Sequence, residues 1–243
     1  MRERKAALEA LRRQVASIEG VARVEAGAGA CEVGEGDYRF LPGLLRGLHR
    51  VEAAHPDRPA SAGFALAFLV ASGRRPVLWA FTSGIEREWG RPSAQGLRCG
   101  GLDPAGFVFL RGRHDREVLC ALEEGVRSRS FQAVIGEAEA GFAGQRRLSL
   151  LAAEHGVLTL LLRGIEAGGS PAFARWRVAL RASAPDPFDA CAPGLPRWRV
   201  ELVRCRVGPP GAWTVEWDHA AGRLRLVAEL APAAAAPRQR YGT

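Results

Sequence analysis

Between residues 48 and 163, short apolar runs take turns with longer segments of helical period. Residues 48–53, 76–82, 106–110, 132–137 and 157–163 read as buried strands, with a turn at 102–105 leading into the third. Residues 60–72, 115–127 and 144–155 read as helices between them. Strands that are apolar throughout, spaced by helices, predict a mostly parallel sheet covered on both faces. After Arg163 the period falls to two. Residues 175–181, 197–206, 213–218 and 223–229 alternate polar with apolar side chains, with Pro-Gly and Ala-Gly turns at 209–211 and 221–222. These predict antiparallel strands added to the edge of that sheet. The fold class is therefore α/β, with one body over residues 38–230. Ahead of it, residues 2–19 form an amphipathic helix pattern on Leu8, Leu11, Val15 and Ile18, ending at Gly20, with a Gly/Ala-rich linker up to residue 37. Behind it, residues 231–243 are an Ala/Pro-rich tail, expected to be mobile.

Composition removes several function classes. No apolar run approaches the roughly 18 residues of a membrane span; the longest, residues 63–72, is far shorter. The N-terminus, Met-Arg-Glu-Arg-Lys, lacks the apolar centre of a signal peptide, so a cytoplasmic location is expected. Cys31, Cys99, Cys120, Cys191 and Cys205 are odd in number and form no CxxC pair, which argues for isolated thiols. No HExxH or GxSxG motif exists, and neither metal nor cofactor is expected. The pairs His114-Asp115 and Asp218-His219 have no nucleophile near them in sequence and carry no catalytic reading. The formal charge of +8 suits an acidic partner, either nucleic acid or an acidic protein surface. Lys5 is the only lysine among 34 basic residues, however, and a compositional bias toward arginine weakens that inference.

Several short motifs occur in a characteristic order. Leu41-Pro42-Gly43 leads into the first body strand; Pro-Val-Leu-Trp follows at 76–79, Gly-Leu-Asp-Pro at 101–104 and Leu-Glu-Glu-Gly at 122–125. Ala-Val-Ile-Gly-Glu stands at 133–137, Arg-Trp-Arg-Val at 175–178 and again at 197–200, and Ala-Trp-Thr-Val-Glu-Trp at 212–217. In this order the chain resembles the ImuA family, RecA-like bacterial proteins of SOS mutagenesis, over about residues 38–230. The resemblance implies a RecA-like core with a mostly parallel central sheet, C-terminal antiparallel strands and the position of a P-loop after the first strand.

That position is degenerate. A P-loop holds phosphates with glycine-rich backbone amides, a lysine and a Ser/Thr hydroxyl on magnesium. The matching stretch, residues 53–64, has no lysine and only Gly63; Pro56 and Pro59 remove backbone donors, and Asp57 places a negative charge among the phosphates. Of its polar residues, His55, Asp57, Arg58 and Ser61, only Arg58 offers a cation, without a lysine's geometry. ATP hydrolysis is not expected, and nucleotide binding without hydrolysis stays open as an alternative. Glu137 and Glu139 end a central strand where RecA-like ATPases hold metal; with no P-loop to serve, they read as exposed strand-end carboxylates.

The loops at 137–144 and 164–173, which correspond to the DNA-gripping loops of RecA, are short, and the first is acidic. The arginine-bearing strands are the better interaction surface. Period two puts Arg175 and Arg177 on one face with Trp176 opposite, and treats Arg197, Trp198 and Arg199 in the same way. Arg204 and Arg206 fall on the opposite parity to Arg197 and Arg199 unless a bulge intervenes. The tryptophans, with Trp213 and Trp217, read as core; the six arginines are candidates to bind DNA or a partner. The resemblance implies a non-catalytic accessory role in translesion synthesis, with an ImuB-like Y-family homologue and an error-prone C-family polymerase as partners and RecA as a further candidate. The alternative from a different class is a direct single-stranded DNA-binding module.

Overall fold

The computed structural model describes residues 46–165, 168–186, 188–189, 191–219 and 221–230. The helix pattern at 2–19, the linker and the tail lie outside the described residues. Those described form a nine-stranded sheet in the order β3-β2-β4-β5-β1-β6-β7-β8-β9. The strands are β1 (Gly47–Ala53), β2 (Val77–Thr82), β3 (Phe107–Gly112), β4 (Ala133–Glu137), β5 (Leu158–Gly164), β6 (Ala174–Arg181), β7 (Arg197–Cys205), β8 (Gly211–Asp218) and β9 (Arg223–Leu230). All neighbours from β3 through β1 to β6 run parallel; β6-β7-β8-β9 is an antiparallel meander. One expectation needs correction here. β6 does not join as an antiparallel strand alone: it pairs in parallel with β1 and antiparallel with β7, and so is the joint between the two halves.

Among the described residues five α-helices accompany the sheet: α1 (Arg58–Ser72), α2 (Ser83–Trp89), α3 (Ala94–Cys99), α4 (Asp115–Arg127) and α5 (Phe142–His155). α1 is apolar on nearly every side because it is enclosed. It begins with a proline in its first turn and stops at Gly73, whose φ of 60° lets its amide bond the carbonyls of Leu69 and Val70. α4 buries the stripe Val118, Leu122 and Val126. Its start is a reciprocal cap: the His114 ring accepts from the Glu117 amide at 3.3 Å, and the Glu117 carboxylate accepts from the Arg113 amide at 2.8 Å. α2 and α3 fill the segment between β2 and β3, where the sequence pattern predicts no helix. They are too short to show an apolar repeat; their signal is only in the caps, Thr82 accepting from Ile85 N and Ser93 from Gly96 N.

The sheet has a core on each face. α1 packs over Val51, Trp79, Ile135, Leu160, Trp176 and Trp198; α4 and α5 pack over Leu48, Leu78, Val134 and Leu161. The tryptophans of the meander belong to the α1 face, as read from the sequence: Trp176, Trp198 and Trp217 are buried and Trp213 is partly buried against the same cluster. Gly63 makes this packing feasible. A Cβ there would stand 2.6 Å from the Trp198 ring, so only glycine lets α1 approach β7 so closely. Among the described residues no helix is long and apolar enough to cross a membrane.

The β1–β6 seam is joined on both faces. On the α1 face the indole N–H of Trp176 donates to His49 Nδ1 at 3.1 Å. Because the indole is only a donor, Nδ1 is the acceptor, and Nε2 carries the proton that it gives to the Arg46 carbonyl at 3.0 Å. On the opposite face Glu52, with no exposure, meets Arg50 at 2.5 Å and Arg175 at 3.0 Å. Removing one member of a buried ion pair leaves charge uncompensated in a medium that solvates it poorly. We expect Glu52→Ala to cost roughly 3–5 kcal/mol, measured as a shift in the urea unfolding midpoint. Glu201→Ala, on the same face of the meander, serves as the comparison and should cost clearly less.

Candidate functional site

The carboxyl ends of parallel strands, beside the point where strand order reverses, are where α/β sheets place ligands. Here β1 ends between β5 and β6, and the chain turns through His55–Asp57 into α1. Of the four polar residues singled out in this turn and the start of α1, three have side chains engaged within the chain. Asp57 precedes α1 without capping it; its carboxylate instead accepts the Leu180 amide at 3.0 Å and so fastens the turn to the end of β6. His55 Nε2 lies 2.5 Å from the Glu88 carboxylate, and the His55 ring meets Trp89 edge-on. The Ser61 hydroxyl is buried and donates to the Arg58 carbonyl at 2.7 Å. Arg58 alone turns toward open space.

That space is a cavity of about 320 Å³ between α1, Trp79 of β2, the end of β4 and the α2–α3 connection. Trp79, Trp89, Pro59, Pro92 and Leu66 make its walls largely apolar, while Arg58, Arg91 and Glu137 bring charge to it. Glu137 is not the solvated strand-end carboxylate expected from the sequence. It accepts the Trp79 indole N–H at 2.9 Å, and burial pushes its carboxyl above the ordinary 4.5, against the pull of that hydrogen bond and of the Arg58 charge. Glu139, two residues on, is half exposed and differs in role. It pairs with Arg163 at 2.5 Å, accepts the Gly164 amide at 3.1 Å and stands 4.0 Å from Arg58. β4 ends at Glu137 on the α1 face, and beyond the strand the chain is released from its period, so Glu139 turns toward the end of β5. Trp89 was not legible as a site residue, because nothing in its local sequence marks it. Its indole nitrogen is buried and has no hydrogen-bond partner among the described residues.

The six arginines share one face of the meander. β6 and β7 slip register: Arg175 opposes Arg204 while Trp176 opposes Leu202, so Val203 is an extra residue. That bulge resolves the parity conflict and returns Arg204 to the face of Arg175. Four of the six are held internally. Arg175 binds Glu52 and the Gly168 carbonyl; Arg197 makes a two-pronged pair with Glu216 through Nε at 2.8 Å and through Nη2. Arg204 donates to the Ser170 carbonyl at 2.8 Å and Arg206 to that of Pro171 at 2.9 Å. Arg177 and Arg199 lie within 4 Å of no carboxylate among the described residues. Exposed Arg181, beside Arg197 in the register, and exposed Arg225, beside Glu216, extend the same face.

The raised Glu137 carboxyl has a consequence for stability. The folded chain keeps this proton to a higher pH than the unfolded chain does. Raising the pH through that interval therefore favours the unfolded chain, and stability falls. We expect the urea midpoint to decline as the pH rises above 4.5 toward the pH at which Glu137 ionises, and Glu137→Gln to flatten that decline.

Comparison with known proteins places the chain in a family. No family model matches it. It is 38% identical over 167 residues to the protein named Protein ImuA in Caulobacter vibrioides strain NA1000 / CB15N, an alignment covering 61% of this chain and 68% of that protein. The same figures hold for Protein ImuA of strain ATCC 19089 / CIP 103742 / CB 15. With more than two thirds of that relative covered, and with the quoted motifs lying on β2, β4, β6, β7 and β8, the chain belongs to the ImuA family.

Proposed function

We propose that this chain is a non-catalytic accessory protein of SOS-induced translesion synthesis and mutagenesis. It works as an adaptor that contacts an ImuB-like Y-family homologue and an error-prone C-family polymerase, with RecA as a further partner, in the cytoplasm. Membership of the ImuA family supports the mutagenesis setting. The adaptor reading rests on the turn after β1. β1, this turn and α1 follow one another as the strand, loop and helix of a P-loop do. The turn nevertheless holds two prolines nearby and no lysine, and Asp57 ties it to β6 through the Leu180 amide. A loop so fastened offers few backbone donors to a phosphate and sets a carboxylate against it. We read it as a degenerate P-loop in a RecA-like scaffold.

The contact surface in this reading is the arginine face of β6 to β9, centred on Arg177 and Arg199. A planar guanidinium with no carboxylate within ion-pair distance is suited to a partner's carboxylates or to phosphate. Arg175, Arg197, Arg204 and Arg206 act here by holding the face rigid.

The test is a titration with labelled single-stranded oligonucleotide at low and physiological salt, with and without the two polymerase partners, alongside an assay for ATP turnover. The adaptor reading expects no turnover above background, weak DNA binding by the protein alone and stable association with protein partners. Arg177→Glu/Arg199→Glu should weaken that association at least about tenfold. Tight, steeply salt-sensitive DNA binding by the protein alone would overturn the adaptor reading in favour of a direct DNA-binding module. Turnover lost on changing Arg58 or Glu137 would mean a residual ATPase.

A further inference from the structure

The cavity beside α1 has a counterpart elsewhere on the same chain. Phe188, in the connection between β6 and β7, is 96% exposed, the extreme among the exposed large apolar side chains. The connection holds it out in a defined way. Asp186 accepts the amides of Phe188 at 2.8 Å and Asp189 at 3.1 Å, and Asp189 accepts the amide of Cys191 at 2.8 Å. Gly194 lies so close to the Ala184 carbonyl that a Cβ would stand 1.8 Å from its oxygen, which brings positions 184 and 194 together.

The two features match in shape and in charge. The cavity, at about 320 Å³, has room for a phenyl ring between Trp79, Trp89 and Leu66. Its rim carries Arg58 and the exposed Arg91, whereas the knob is flanked by Asp186 and Asp189. Each aspartate binds the loop amides through one carboxylate oxygen and keeps its charge beside the ring. Phe188 cannot be filling the cavity of its own chain, being almost wholly exposed.

We infer that Phe188 of one copy of this chain seats in the cavity of a second copy, with its flanking aspartates on Arg58 and Arg91. The contact joins two different patches, so it is head-to-tail. A pair joined in this way keeps a free cavity on one copy and a free knob on the other, and assembly does not stop at a dimer unless a ring closes.

Sedimentation velocity on the full chain tests this. At up to about 100 µM, where a contact anchored by a single aromatic side chain is populated, the average mass should rise with concentration and pass that of a dimer. Added salt should lower it. Phe188→Ala removes the knob and Arg91→Glu reverses the rim; each should weaken association at least about tenfold and leave the circular dichroism spectrum unchanged. Ala62→Trp, which fills the cavity from α1, should do the same. The decisive arm mixes Phe188→Ala, whose cavity is intact, with Arg91→Glu or Ala62→Trp, whose knob is intact. With the stronger cavity block, Ala62→Trp, the mixture should recover a 1:1 dimer that cannot extend. A monomeric wild-type chain over the whole range would overturn the inference. So would association that ignores Phe188→Ala, or mixtures that fail to recover a dimer when both components are folded.

Discussion

A carboxylate with no exposure to water, Glu52 in the middle strand of a nine-stranded sheet, governs how the two halves of this molecule meet. Such a charge is tolerable only if cations come to it. Arg50, two residues earlier on the same face of β1, supplies one; Arg175, on β6, supplies the other across the seam. On the reverse face of the seam, Trp176 and His49 satisfy each other in the core beneath α1. β6 is therefore fastened beside β1 by an ion pair on one side and a hydrogen bond on the other. The meander β7 to β9 grows from β6, so its placement, its arginine face and its tryptophan face all follow from that seam.

The same economy of side chains shapes the carboxyl edge of the sheet. Asp57 binds β6 at Leu180, Glu139 binds β5 through Gly164 and Arg163, and Glu137 is drawn into the wall of the cavity by Trp79. A region that could have received a charged ligand is instead knitted together by its own polar groups. What remains open is a mainly apolar cavity with an arginine rim. An enclosure of this kind suits the aromatic anchor of a protein contact, and it fits the adaptor reading of an ImuA-family chain better than phosphate chemistry does.

Most of the architecture was legible because its signals are local. Val77 to Phe81 is buried on both faces and reads as continuous apolar sequence, while Arg175 to Val178 alternates and reads as one-sided. The parity of Trp176 and Trp198 followed directly from period two. Other features depend on partners distant in sequence. The parallel pairing of β6 with β1 joins residues more than a hundred positions apart, and nothing within 174–181 distinguishes it from an antiparallel strand. The bulge at Val203 depends on how β7 meets β6. The short helices α2 and α3 are shaped by the connection they must make, with only Thr82 and Ser93 as local marks. For the site, the sequence could nominate six arginines but could not tell that Arg175, Arg197, Arg204 and Arg206 have internal acceptors within reach.

The sequence by itself determined the α/β class, the order of the strands and of the three longer helices, and the tryptophan and arginine faces of the meander. These rest on periodicity and on residue chemistry, both of which act over a few neighbouring positions. Only the tertiary structure decided which charges are buried, which arginines have an acceptor within reach, and that Trp79, Trp89, Arg58 and Glu137 surround one cavity. The free energy of a charge or an indole depends on what lies within a few ångströms of it in space, and the fold alone sets those neighbours.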